Sequence, residues 1–254
     1  MSVWDKNYLL KDQYKTTAKL DARISLHLRF STNKYGWFKW IFDHFKFPGS
    51  AKILELGCGP GHLWLENRNR ISDGWTIVLS DFSEGMLKTT KDNLRKMDHK
   101  FEFKVIDAQS IPFEDESLDG IIADHMLYHL PDLNKGLSEI HRVLKTGGIL
   151  YAATNGNHHM QELDELIFSV NKDLENTEDI TNPFRLENGY ALLSRFFSKI
   201  NLYRYEDSLA VTEAEPLVAY VQSTRARLKP EQEKEFSTKV KKSLAAKGVI
   251  KITK

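Results

Sequence analysis

Residues 51–154 alternate short apolar runs with amphipathic stretches. The runs are Ile53-Leu54, Thr76 to Leu79, Phe101 to Ile106, Leu118 to Ala123 and Ile149 to Ala152. Between them lie Leu63 to Arg70, Ser83 to Met97 and Leu133 to Leu144, the last carrying Leu133, Leu137, Ile140 and Leu144 at helical spacing. A strand, helix, strand order repeated this often predicts a doubly wound α/β fold, a mostly parallel sheet covered on both faces. Ser83 is placed to cap the helix after the second run, and Gly147-Gly148 to stop the helix before the fifth.

The flanks read differently. Residues 16–46 predict two helices broken near Ser31-Thr32-Asn33, with Leu20, Ile24 and Leu28 on one face, and Pro48-Gly49 marks the entry to the sheet. Beyond the core, 158–177, 187–197 and 213–245 read as helices, and 199–211 and 248–253 as strands. The expected organisation is a helical cap over residues 1–49, a core over 50–155, and 156–254 completing the sheet and adding helical insertions that form a lid. The last strand ends beside Lys254, which suggests a truncated chain.

Composition narrows the class. With 254 residues, 41% hydrophobic and a single cysteine, Cys58, disorder and disulfide scaffolds are excluded. Neither a basic start with an apolar h-region nor a run of ~18 apolar residues occurs, so the expected location is the cytoplasm and no membrane span is expected.

The net charge of +1 conceals an uneven distribution. Residues 1–49 hold 9 basic and 4 acidic side chains, 50–224 hold 17 and 28, and 225–254 hold 10 and 3. Basic flanks could grip nucleic acid. The preferred reading is a solvated helix face, because Lys234, Lys239, Lys241, Lys242 and Lys247 are preceded and interrupted by Glu231, Glu233 and Glu235, and no nucleic-acid motif accompanies them. The first 49 residues also hold 11 of the 28 aromatics, among them Trp4, Tyr8, Tyr14, Trp37 and Trp40. Mostly these will pack, yet an aromatic cap at the carboxyl ends of the strands is where a substrate pocket would form.

The chemistry concentrates in Ile53-Leu54-Glu55-Leu56-Gly57-Cys58-Gly59-Pro60-Gly61. Glycines at alternate positions between a strand and a helix allow a tight turn and close approach of backbone to a ligand. The spacing is neither the dinucleotide fingerprint nor a phosphate loop. Each core strand also carries a carboxylate near its carboxyl end: Glu55, Asp81, Asp107 and Asp124. In a doubly wound sheet these ends converge on one crevice. A pyrophosphate there is disfavoured, since a like charge ~4 Å away costs on the order of 4 kcal/mol at an effective dielectric near 20. The ligand that fits has ribose hydroxyls, positive charge and no phosphate. S-adenosylmethionine, a nucleoside with an amino group and a sulfonium, meets all three conditions.

Residues 51–154 resemble the class I S-adenosylmethionine-dependent methyltransferases, a Rossmann-like fold with a seven-stranded sheet. The resemblance rests, in order, on Glu-Leu-Gly-Cys-Gly-Pro-Gly, Ser-Asp-Phe-Ser-Glu-Gly-Met-Leu, Asp-Ala-Gln-Ser-Ile-Pro-Phe and Leu-Lys-Thr-Gly-Gly. With His125-Met126-Leu127-Tyr128-His129-Leu130-Pro131-Asp132 it is similar to the small-molecule branch that includes the ubiquinone/menaquinone methyltransferases. The resemblance implies that Gly57, Gly59 and Gly61, with Cys58 between them, shape the loop against methionine and ribose, and that Glu55 fixes the loop. It implies that Asp81 accepts from the ribose hydroxyls, Phe82 and Met86 flank the adenine, Asp107 and Ala108 meet its amino group, and Asp124 and His125 border the methionine and the acceptor.

Methyl transfer to a small molecule asks little of the protein beyond alignment, which supplies ~7–11 kcal/mol, and exclusion of water. A base is useful if the acceptor is a hydroxyl or an acidic carbon, and His125 and His129, four apart and on one face if helical, are the candidates. Arg23 and His27 share a helical face and could reach the methionine carboxylate or the acceptor; His158-His159, beyond the fifth strand, could reach the pocket, though such a pair is more often exposed loop. No metal is expected. The competing readings are a cofactor-binding sensor or assembly partner that transfers no methyl group, an NAD-dependent oxidoreductase, whose fingerprint is missing, and a nucleic-acid methyltransferase, whose Asn-Pro-Pro-Tyr motif is replaced by Asp124-His125-Met126-Leu127.

Overall fold

The computed structural model describes residues 18–172, 183–224 and 228–254. Trp4, Tyr8 and Tyr14 lie outside the described residues. The elements are α1 (Ala18–Phe30), α2 (Trp37–Asp43), β1 (Lys52–Leu56), α3 (His62–Glu66), β2 (Thr76–Asp81), α4 (Glu84–Leu94), β3 (Phe101–Val105), β4 (Leu118–Asp124), α5 (Leu133–Val143), β5 (Leu144–Ala153), α6 (Gln161–Phe168), α7 (Leu186–Leu193), β6 (Ser208–Val211), α8 (Ala214–Ser223), α9 (Pro230–Lys247) and β7 (Ile250–Thr253).

The five core strands form one parallel sheet in the order β3-β2-β1-β4-β5. This order places the chain reversal between β1 and β4, the position at which ligands bind in open α/β sheets. Side chains alternate across the sheet: Leu54, Leu56, Val78 and Ile121 pack on one face with Leu137 and Ile140 of α5, while Ile53, Ile77, Leu79 and Ile122 pack on the other with Phe42, Trp64 and Leu87.

Local chemistry sets the element ends. Ser83 Oγ accepts from Met86 N at 3.3 Å and so caps α4 as expected; Asp132 Oδ1 does the same for α5 from Lys135 N at 3.0 Å. Gly147-Gly148 does not stop α5, which ends at Val143. Gly147, at φ +84°, instead turns the chain inside an interruption of the β4–β5 ladder, between the pairs Leu118 with Leu144 and Gly120 with Ile149.

Among the described residues the sheet has five strands rather than the expected seven. β6 and β7 pair antiparallel with each other, from Ser208 opposite Thr253 to Val211 opposite Ile250, and form a separate ribbon. Only 208–211 of the expected strand 199–211 enters a ladder, and the expected helix 213–245 is two helices, α8 and α9. The ribbon belongs to a third core in which Leu26 and Phe30 of α1 meet Leu163 of α6, Leu209, Leu217, Phe236 and Ile252. Asp207 ties these parts together, accepting from Ser31 Oγ at 2.7 Å, Asn33 N at 2.9 Å and Lys254 Nζ at 2.5 Å. Among the described residues no helix is long and apolar enough to cross a membrane.

Candidate active site

A crevice of about 2000 Å³ opens at the carboxyl ends of β1, β2 and β4. Its floor is the glycine loop. Gly57, Gly59 and Gly61 have φ of +69°, +53° and +83°. A Cβ on Gly57 would lie 2.8 Å from Met126 Cβ, and one on Gly61 would lie 2.9 Å from Thr90 Cγ2, so both positions are closed to any side chain by conformation and by space. Cys58 is buried against Thr90, its Sγ 3.7 Å from the hydroxyl, and burial pushes its thiol well above the ordinary range; it fills space.

Glu55 is 2% exposed and accepts from Trp64 Nε1 at 2.6 Å, which links β1 to the helix that follows the loop. Burial raises its carboxyl to about 8, so at neutral pH it is protonated and adds no charge to the crevice. The negative character read from four strand-end acids is reduced accordingly. Asp81 ends β2 with Oδ1 accepting from Ser83 N at 2.9 Å and Oδ2 from Gly59 N at 3.3 Å. Burial raises it to about 6, against the pull of those backbone donors. Phe82 and Ser83 follow it on the crevice wall, with Met86 and Ala108 as buried lining. Asp107 Oδ1 accepts from Gln109 N at 3.0 Å and holds the turn after β3.

At the end of β4, Asp124 Oδ2 accepts from Trp37 Nε1 at 3.1 Å. Its Oδ1 is buried with no hydrogen-bond partner, and burial raises the carboxyl. His125 takes φ +53°, a left-handed conformation that costs a non-glycine residue on the order of 1–3 kcal/mol. That turn sets its ring 5.2 Å from Trp37 and its Nε2 3.9 Å from Asp124 Oδ1. Burial lowers the His125 pKa, with Asp124 opposing. His129 also lines the crevice, but residues 127–129 form a single 3₁₀ turn, so the two histidines do not share an α-helical face.

Arg23 and His27 of α1 line the same crevice. His158 is exposed and bonds Gln161, as expected of a loop residue, whereas His159 enters the crevice and stacks on His27. Sequence reasoning did not single out Trp37 as the partner of Asp124, nor Tyr205, Tyr220 and Lys254 as lining. All are brought in by long-range packing of the flanks, which no local pattern signals.

The residues present fit S-adenosylmethionine. Three left-handed glycines line the crevice with bare backbone, Asp81 offers carboxylate oxygens at its rim, and Asp124 keeps a buried oxygen without a donor. Residues 54–152 match the methyltransferase domain family, and over this segment the chain is similar to the class I S-adenosylmethionine-dependent methyltransferases, whose cofactor is S-adenosylmethionine. It is 32% identical over 148 residues to a demethylmenaquinone methyltransferase of Desulfitobacterium hafniense, a match covering 58% of each chain. It is likewise 32% identical over 114 residues to a ubiquinone/menaquinone biosynthesis C-methyltransferase of Xanthomonas oryzae, covering 44% of this chain and 45% of that one. The chain thus matches about half the length of these relatives. In fold it is similar to a methyltransferase-like protein of Bacillus halodurans C-125, with a TM-score of 0.56 at 19% identity over 85% of this chain and 93% of that one.

Proposed function

We propose that the protein transfers a methyl group from S-adenosylmethionine to a small molecule. The observation that carries this reading is the convergence of the left-handed glycine loop, the Asp81 carboxylate and the half-satisfied Asp124 carboxylate on one crevice. In this reading Gly57, Gly59 and Gly61 admit the methionine and ribose against bare backbone, and Asp81 accepts from the ribose hydroxyls while Gly59 N and Ser83 N hold it in place. Phe82 and Met86 flank the adenine, and Asp107 and Ala108 border its amino group. The unpartnered Asp124 oxygen accepts from the ammonium. His125 and His129 contact the acceptor. The described parts of the flanks, within 18–49 and 156–254, cover the crevice and select that acceptor.

When bound, the sulfonium supplies an electrophilic carbon, so the protein's task is to align the acceptor and exclude water. Trp37 closes over Asp124, and its ring stacks on Trp40 at 5.3 Å, which shields the end of β4. The similarity to quinone methyltransferases supports a small-molecule acceptor. The test is calorimetric: Asp81→Ala should weaken S-adenosylmethionine binding by roughly 1.5–3 kcal/mol, the scale of hydrogen bonds to a charged group. Unchanged affinity in a folded variant would remove Asp81 from the site.

A further inference from the structure

The chain that carries Trp37 over Asp124 is held by side chains that stand outside the crevice. Asn67, 1% exposed, follows α3, and its amide donates to Leu63 O at 2.8 Å and, across to α2, to Phe38 O at 2.9 Å. Its Oδ1 accepts from Arg70 Nη1 at 2.9 Å. The other guanidinium nitrogen of Arg70 pairs with Asp43 at the end of α2, and its Cζ lies 4.7 Å from the centre of the Phe42 ring. Asp43 Oδ2 in turn accepts from Tyr35 Oη at 2.5 Å. Arg70 therefore orients two catches at once, Asn67 on Phe38 and Asp43 on Tyr35. Neither Asn67 nor Arg70 lines the crevice, so neither meets the cofactor.

The segment between the catches is anchored at both ends and loose in the middle. Before it, Asn33 N is bonded to Asp207; after it, Ile41 and Phe42 are buried in the sheet core. Between them Trp37 and Phe38 are half-buried, the first turn of α2 has no capping side chain, and Gly36 has φ +94° with open space where a Cβ would stand. If residues 35–38 swing outward, three side-chain hydrogen bonds break: Asn67 to Phe38, Tyr35 to Asp43 and Trp37 to Asp124. Asn67 keeps Leu63 O and Arg70, so no buried amide is stranded by the movement. The Tyr35 catch is exposed, and exposed polar contacts hold weakly. The same bonds that fix Trp37 thus let go without damage to the core beneath.

We propose that residues 35–38 form the gate of the cofactor half of the crevice, and that Asn67 and Arg70 are the positioning residues that keep it shut with Trp37 over Asp124. The inference rests on the reading above in which Asp124 accepts from the ammonium of S-adenosylmethionine. Shut, the gate covers that carboxylate and shields the end of β4 from water; open, it gives the methionine half of the cofactor its way in and out.

The test follows S-adenosylhomocysteine on and off the immobilised full chain by surface plasmon resonance. The catches are formed in this structure, so they must release for entry as well as for exit. Asn67→Ala removes one hydrogen bond from the shut state and Arg70→Gln loosens both catches. Each should raise the association and dissociation rate constants together, about fivefold, the worth of one hydrogen bond, and leave the affinity nearly constant. A variant that merely damaged the site would speed dissociation alone. Unchanged rates in both variants, or faster dissociation without faster association, overturns the gate and leaves the cofactor reading standing. Failure of wild type to bind S-adenosylhomocysteine overturns the cofactor reading, and the gate with it. Tyr35→Phe drops only the exposed bond to Asp43 and should raise both rates about twofold; it decides if the Asn67 and Arg70 variants do not fold.

Discussion

Glu55 offers a direct measurement of how the cofactor loop is held. Its carboxyl is 2% exposed, bonded to Trp64, and raised from 4.5 to about 8 by burial. In the unfolded chain the group ionises near 4.5, so between that pH and 8 the folded protein holds a proton that the unfolded chain has lost. For an acid with a raised folded pKa the sign follows: stability is greatest below 4.5 and declines as pH rises through the window, by about 1.4 kcal/mol per pH unit. Over two units the loss is roughly 3 kcal/mol. Glu55→Gln keeps the shape and can still accept from Trp64 Nε1, but has no proton to lose. Urea unfolding of both proteins at pH 5.5 and 7.5 isolates the term, because groups that titrate alike in both cancel. The difference should move in favour of the glutamine variant by that amount as pH rises. A pH-independent difference would refute the claim that a neutral carboxylic acid fastens β1 to α3.

Asp81, raised to about 6 in the free site, must be ionised to accept from hydroxyls on both oxygens. S-adenosylmethionine affinity should therefore hold above pH 6 and weaken about tenfold per unit below it, while Asp81→Asn shows a weaker, flatter profile by calorimetry. Gly57→Ala, with φ +69° and Met126 Cβ 2.8 Å from the added carbon, should cost about 1–3 kcal/mol in chemical denaturation. Trp37→Phe leaves both Asp124 oxygens without a protein donor and should destabilise by about 1–3 kcal/mol in the same assay.

The sheet and its loop were legible because their causes are local. Alternating apolar runs, the Ser83 cap and the spacing of Gly57, Gly59 and Gly61 determine strands, a helix start and a turn within a few residues of themselves. Strand-end carboxylates pointed to the crevice for the same reason. What was not legible depends on contacts between residues far apart. Residues 199–207 carry a strand-like pattern, yet the ladder forms only at 208–211, where β7 supplies a partner. His125 and His129 looked like helix neighbours until the left-handed turn at His125 broke the register. For His158-His159 the sequence left pocket and exposed loop both open, because nothing within that segment announces that α1 will bring His27 to His159. Charge was read formally, and burial of Glu55 altered it.

The two halves of the crevice are carried by different cores. The glycine loop, Asp81 and Asp124 hang from the parallel sheet, whereas His27 and Tyr220 hang from the core that α1 shares with α6, α8, α9 and the ribbon. Mutations that reshape one wall leave the packing beneath the other unchanged, and the two should add rather than compound. If, as proposed, the flanks choose the acceptor, such a molecule can drift in what it modifies while its donor chemistry stays constant, and a library confined to α1, α8 and the turn before α6 would explore new acceptors without spending the stability of the sheet.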